Sequence, residues 1–295
     1  MKQLIISILF LTIVTSCKSQ KIVEFDYNNF EKQVLSYEPI QNSNTIKKDF
    51  DFGKMVLRET KIATENNYKN FNGADYYNIL SAFTALNESE INIQIAFEKF
   101  KNSEGSCDYF LSKRMFKSPK YDIIREKINQ QIQICENSTS KNQNRFDLKE
   151  YSQKNNFDYN LILQINNIND LDEKYRNDET TDWTKQTPID KENQRIIDSL
   201  YNVHKTYLGK TLVGEKFQST MWRVIQHSNI EMMEKYLPII QKAVNDNELD
   251  VVPFKMLIDR IYSIKFGYQI FGSQGGIDIA DDEKRKEVEL KYGIK

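Results

Sequence analysis

The sequence predicts a mainly α-helical protein: N-terminal helical hairpins followed by a mostly helical C-terminal domain with a Gly-rich end. Three observations carry this. Between residues 46 and 136 apolar side chains recur every three to four positions, the period of one helix face. Residues 137–145 (Asn-Ser-Thr-Ser-Lys-Asn-Gln-Asn-Arg) contain no apolar residue and separate two halves of different texture. The 295-residue chain is 39% hydrophobic with 17 Phe, 16 Tyr and 2 Trp, enough to build a core rather than stay disordered.

Residues 1–16 read as an export signal. Lys2 supplies a positive start, and residues 4–14 are apolar except for Ser7 and Thr12. That run is about half of the roughly 20 residues a spanning helix needs, and fits a signal peptide. It ends in Val14-Thr15-Ser16-Cys17, followed by Lys18-Ser19-Gln20-Lys21. Small residues directly before a Cys at this distance from the start resemble the lipobox of bacterial lipoproteins, with Val14 where Leu is usual. The resemblance implies cleavage before Cys17, acylation of that Cys with palmitate-type chains, and attachment to a membrane at about 0.8 kcal/mol per buried CH₂. The alternative is an ordinary secretory signal with a coincidental Cys. No acidic run follows Cys17, which implies the outer membrane with the protein facing the periplasm. No other segment is long and apolar enough to span a bilayer.

Charge and cysteines narrow the partners. The 41 basic and 42 acidic residues nearly cancel, which argues against nucleic-acid binding. With Cys17 acylated, Cys107 and Cys135 are an even pair in an oxidising compartment. They either bridge or serve as two small core side chains.

Residues 17–45 are polar and Asn-rich, with Pro39, and read as a tether carrying a short helix over residues 25–35. The N-terminal domain, residues 46–136, follows. A helix over 74–86 places Tyr76, Ile79, Leu80 and Phe83 on one stripe. A second, over 88–100, presents Ile91 and Ile95 with Phe97 beside them. A third, over 121–135, uses Ile124, Ile128 and Ile132. Paired helices with Ala82 and Ala96 at close-packing positions loosely resemble a tetratricopeptide-like hairpin across residues 74–102; a plain bundle is the alternative. Either form suits a docking surface for a protein partner. The linker spans 137–146, and the C-terminal domain occupies 147–295, with a short strand expected at 268–271.

From about residue 171 onward the chain carries a recurring set of polar pairs. Asp172 and Arg176 lie four apart, Asp190 and Asn193 three apart, Gln226-His227 and Asp259-Arg260 sit on successive helices, and Gln269, Phe271, Gly272, Ser273 and Gln274 close the series. In this combination the C-terminal half resembles the bacterial domain of unknown function 6624. The chain departs from that pattern in lacking its Gly-Trp-Pro turn near residues 207–214 and in carrying Asn229 where an acidic residue is expected. The resemblance implies a domain and names no activity.

The candidate catalytic or ligand-binding residues are therefore His227, Asp259, Arg260, Gln226, Gln269, Gln274, Asp172 and Arg176. A helix over 216–227 has Phe217, Met221, Val224 and Ile225 on its core stripe. Ser228 with Glu231 forms a capping box for the next helix, leaving His227 at a helix end. There it is either a dipole partner or the one side chain titrating near neutral pH unaided. On the helix over 253–266, Phe254, Leu257, Ile258, Ile261 and Ile264 form the core stripe with Asp259 opposite. Asp259 is then either a solvated pair with Lys255, worth a few tenths of a kcal/mol, or the group that orients His227 while Arg260 binds an anion or acyl oxygen. Gly272, Gly275 and Gly276 suit a binding loop or a plain terminal turn.

Other chemistries fail on spacing. His204 and His227 without Cys-x-x-Cys or His-Glu-x-x-His make no zinc site, so no metal is expected. No cofactor is expected either: Gly209-Lys210-Thr211 imitates a phosphate loop, but His204 stands where its first Gly belongs. In Phe271-Gly272-Ser273-Gln274-Gly275 the first Gly is one place too late for a nucleophile elbow. Two functions remain: a lipid-anchored envelope binding or interaction module, or an envelope hydrolase or transferase using His227 with Asp259 and Arg260.

Overall fold

A computed structural model describes residues 24–112, 116–139, 146–176 and 181–294. The fold is mainly α, with one parallel pair of two-residue strands among the described residues. Cys17 and the signal segment lie outside the described residues, as do 140–145 of the linker.

In the N-terminal half, a 3-10 turn at Tyr27–Asn29 leads into α1 (Phe30–Ser36). Then come α2 (Lys47–Ala63), α3 (Gly73–Ala85), α4 (Glu90–Lys101) and α5 (Ser106–Leu111). Another 3-10 turn, Pro119–Ile124, starts α6 (Arg125–Thr139). Local chemistry sets these starts: Asn72 and Asp75 form a reciprocal capping box on α3, and Ser89 caps α4. Helix α3 packs between α2 and α4, and Phe30, Phe83, Phe97, Phe100 and Phe110 fill the interior. Cys107 and Cys135 are disulfide-bonded, with Cα atoms 5.4 Å apart, joining α5 to α6.

Two expectations need correction here. The tether does not extend to residue 45, because Phe25, Phe30 and Val34 are buried in this core. Phe25 and Phe30 pack against Phe83 with ring centroids 4.9 and 5.9 Å away. Phe25 N–H donates to Asn92 Oδ1, and the Thr45 hydroxyl donates to Leu86 O. The polar composition masks a sparse apolar stripe. In α4 the phase is also different: Ile91 is 54% exposed, while Ile93, Ala96, Phe97 and Phe100 face inward. Isoleucines at 91, 93 and 95 fit two registers, and Phe97 with Phe100 decides between them.

The C-terminal half runs α7 (Leu148–Asn155), α8 (Tyr159–Asp172), α9 (Trp183–His204), α10 (Lys210–Phe217), α11 (Thr220–Gln226), α12 (Ile230–Asn245) and α13 (Val251–Phe266). Strands β1 (Tyr268–Gln269) and β2 (Asp278–Ile279) follow, then α14 (Asp282–Tyr292). The helix expected over 216–227 is interrupted at residues 218–219, between α10 and α11, and α10 is itself kinked at Gly214. Gly214 has φ +77°, and a Cβ there would lie 2.0 Å from the Tyr151 hydroxyl, which donates to Val213 O. Helix α12 is capped by Asn229, which accepts from Met232 N–H, rather than by Ser228, whose hydroxyl turns back to Ile225 O.

The buried apolar residues form two clusters, spanning 25–135 and 161–294. Across their junction, Glu59 of α2 pairs with Lys255 of α13 at 2.9 Å and with Arg285 of α14. Arg58 pairs with Asp282 at 2.7 Å, and Lys48 donates to Gly276 O. Met55 lies against Gly272 so closely that an added Cβ would meet its Cε at 1.6 Å. Gly272 also has φ +88°, a conformation that favours glycine.

Candidate functional site

The site forms where α8, α9, α11 and α13 meet. Asp172 ends α8, and Arg176 follows one turn later. Helix α9 turns Gln186, Asp190, Asn193 and Ile197 inward at core spacing. Three of those four are polar, so the face that meets Asp172 and Arg176 is a buried polar stripe. The first turn beyond α11 presents His227, and α13 contributes Arg260.

Apart from Arg260, these side chains are tied to one another or to the backbone around them. His227 Nδ1 lies 3.0 Å from Asp172 Oδ2 and 3.2 Å from Arg176 Nε. Arg176 Nη2 reaches Asp190 Oδ1 at 2.7 Å. Gln186 Nε2 donates to the same Asp190 oxygen at 2.7 Å and to Asp172 O at 3.0 Å, while its Oε1 accepts Tyr175 N–H. Asn193 Nδ2 reaches Ile168 O at 3.5 Å. The Trp183 indole, 61% exposed, lies over the Arg176 guanidinium at 5.7 Å.

One ring nitrogen cannot donate to Asp172 and accept from Arg176 at the same time. Asp172 is 1% exposed, and its Oδ1 has no partner. Without the imidazole N–H it would be a buried carboxylate with nothing bound, which is strongly unfavourable. Arg176 keeps Asp190 in either case. The hydrogen-bond balance therefore places the proton on Nδ1, directed to Asp172. In the neutral ring this leaves Nε2 a lone pair, and Nε2 has no hydrogen-bond partner among the described residues. The His227 side chain is 23% exposed.

Arg260 is the unbalanced charge. Its guanidinium makes no hydrogen bond or ion pair among the described residues, and its Nε is fully buried. Burial, and then the nearby Arg176 charge, lower its pKa from the ordinary arginine value. Next to His227, Gln226 is buried, with Nε2 3.4 Å from Met256 O and Oε1 without a partner.

Other candidates fall elsewhere. Asp259 does not orient His227 and is not a solvated partner of Lys255. It is fully buried and accepts the backbone N–H groups of Ile270 and Phe271 at 2.7 Å and of Ser273 at 2.8 Å. Burial pushes its carboxyl up, and these amides pull it partly back. Lys255 pairs with Glu59 instead. Gln269 is also committed to the loop, donating to Gln274 O and Ile277 O and accepting Gln274 N–H. Gln269 and Gln274 line a separate cleft of about 870 Å³ between the halves, with Lys48, Phe52, Tyr77 and Lys120. His227, Asp259 and Gln274 thus do not converge on one pocket.

Gln186 and Trp183 belong to the cluster and escaped sequence reasoning. The signal for Gln186 was present: Gln, Asp and Asn at 186, 190 and 193 repeat at the spacing of a core stripe. No family model matches the chain, and no curated protein and no solved structure is detectably similar to it.

Proposed function

We propose that this is an envelope protein tethered through a lipidated Cys17, whose C-terminal half binds a small acidic ligand at Arg260, close to Arg176. The single observation carrying the binding reading is the unpaired guanidinium of Arg260. A half-buried cation normally has an acidic partner, and the nearby Arg176 has Asp190. An incoming carboxylate or similar oxyanion supplies the missing charge in the geometry a guanidinium fork prefers. Trp183, exposed above Arg176, offers a flat apolar wall to the rest of the ligand. The N-terminal helices serve as the docking surface for a protein partner.

The anchor rests on the residues leading to Cys17, and no helix among the described residues is long and apolar enough to cross a membrane. Cys17→Ser releases the protein to the soluble fraction and abolishes lipid labelling; membrane retention of that variant sinks the anchor. For the site, calorimetry with succinate compares the wild type with Arg260→Met. Loss of a charged hydrogen-bonding partner, about 1.5–3 kcal/mol, corresponds to a weakening of roughly 10- to 150-fold. Equal affinity in the two proteins refutes the site.

A further inference from the structure

An anion held by Arg260 explains one guanidinium and leaves the rest of the cluster without a purpose. A simple anion site needs neither an oriented imidazole nor a buried carboxylate behind it. Here Asp172 is almost fully buried with one oxygen unpartnered, and its other oxygen is committed to His227 Nδ1. The surrounding bonds fix geometry: Gln186 grips both the Asp172 carbonyl and the Tyr175 N–H, and also the Asp190 that holds Arg176. Buried polar groups kept in one arrangement at a cost in stability are typical of working sites. The result is an imidazole aimed by a carboxylate, with an unpartnered Nε2, next to an Arg176 that has an unpaired cation, Arg260, nearby.

We propose that the site is hydrolytic, with His227 as general base for water attacking a carboxylic ester whose acyl part carries its own acidic group. This rests on the anion-binding reading, since Arg260 holds that acidic group. Water is the nucleophile because His227 makes no hydrogen bond to a Ser, Thr or Cys side chain among the described residues. A singly charged substrate fits because only one of the two guanidiniums lacks an acid. The step balances without a further reactant. Nε2 takes a proton from water as the water oxygen bonds to the ester carbonyl carbon, forming a tetrahedral oxyanion. That intermediate re-forms the C=O and breaks the bond to the alkoxy oxygen, which receives the proton from Nε2–H. The products are an acid and an alcohol. Asp172 is a positioning residue that holds the ring with Nε2 toward the reaction and steadies the transient imidazolium.

The test uses the full-length protein with mono-4-nitrophenyl succinate and, as the neutral control, 4-nitrophenyl butyrate. The wild type cleaves the succinate ester faster than the butyrate ester. His227→Gln lowers that rate by at least 100-fold and removes the acid limb of the pH–rate profile. Asp172→Asn lowers the same rate and loses the preference for a proton on Nδ1 in the imidazole ¹⁵N shifts, and the double variant is no slower than His227→Gln alone. Arg260→Met raises KM for the succinate ester and removes its advantage over the butyrate ester. Imidazole ¹⁵N shifts of the unmodified protein report a proton on Nδ1, a readout that does not depend on any variant folding. A proton on Nε2 overturns the base assignment. Succinate binding that depends on Arg260, with ester cleavage no faster than in His227→Gln, overturns catalysis and leaves the binding reading standing. Absence of both binding and cleavage overturns the two together. Cleavage indifferent to Arg260→Met overturns the choice of an acidic substrate.

Discussion

Replacing Asp259 tests whether this carboxylate holds the fold together or serves the site. In Asp259→Ala, the N–H groups of Ile270, Phe271 and Ser273 lose their acceptor at once, and the first two lie in fully or nearly fully buried residues. Each stranded buried donor costs about 1–3 kcal/mol. Partial relaxation of the loop brings the total to roughly 4 kcal/mol, at the upper end for a single substitution. For a unit of this size that lowers Tm by about 8–16 °C. Asp259→Asn retains one acceptor oxygen and turns an NH₂ toward the amides, so about half the loss is expected. Thermal and urea unfolding measure the total, and amide exchange at residues 270, 271 and 273 localises it. The same melts on His227→Gln and the double variant should show additive losses, because no bond joins the two side chains. A change below about 0.5 kcal/mol in Asp259→Ala would return Asp259 to the status of a surface pair and refute the reasoning.

Two further outcomes follow from the N-terminal half. Reducing the Cys107–Cys135 bond, with a sequence separation of 28, releases loop-closure entropy to the unfolded chain and lowers stability by about 3.6 kcal/mol; denaturant titration with and without reductant reads it directly. Glu31 is half-buried: burial alone would push its carboxyl up, but hydrogen bonds from Lys99 and Tyr76 outweigh this and hold it below the ordinary 4.5. A depressed carboxylate stabilises the fold above its unfolded pKa and loses that contribution as pH falls through its folded value. Glu31→Gln should thus cost about 1–3 kcal/mol at neutral pH, with the difference from wild type beginning to shrink as pH falls below 4.5 and gone only below the lower, folded-state value.

Helices could be read from the residues wherever apolar spacing and a cap agreed. The helix expected over 253–266 appears as α13, beginning two residues earlier, and that over 74–86 appears as α3. Reading failed where one pattern has two physical meanings. Lys255 and Asp259 lie four apart whether that face meets water or a returning loop, and only the return of residues 270–273 distinguishes the cases. On α9 the inward face leaves no apolar pattern because Gln186, Asp190 and Asn193 occupy it, and of these only Asp190 and Asn193 stand out as a pair. Asp172 and His227 are separated by 55 positions, so their pairing leaves no local trace. The polar pairs from residue 171 onward nevertheless include six of the side chains gathered there: Asp172, Arg176, Asp190, Asn193, His227 and Arg260.

The burial of Phe25 limits how far the protein can reach. Between Cys17 and the first packed side chain the chain takes eight residue steps (17 to 25), not the 28 that a tether running to residue 45 would give. Even fully stretched, eight steps cover at most about 26–29 Å. An acylated Cys17 would keep the N-terminal half within about one domain diameter of the lipid headgroups. A partner docking on those helices must then come close to the bilayer, and one restricted to the middle of a wide periplasm would be out of range.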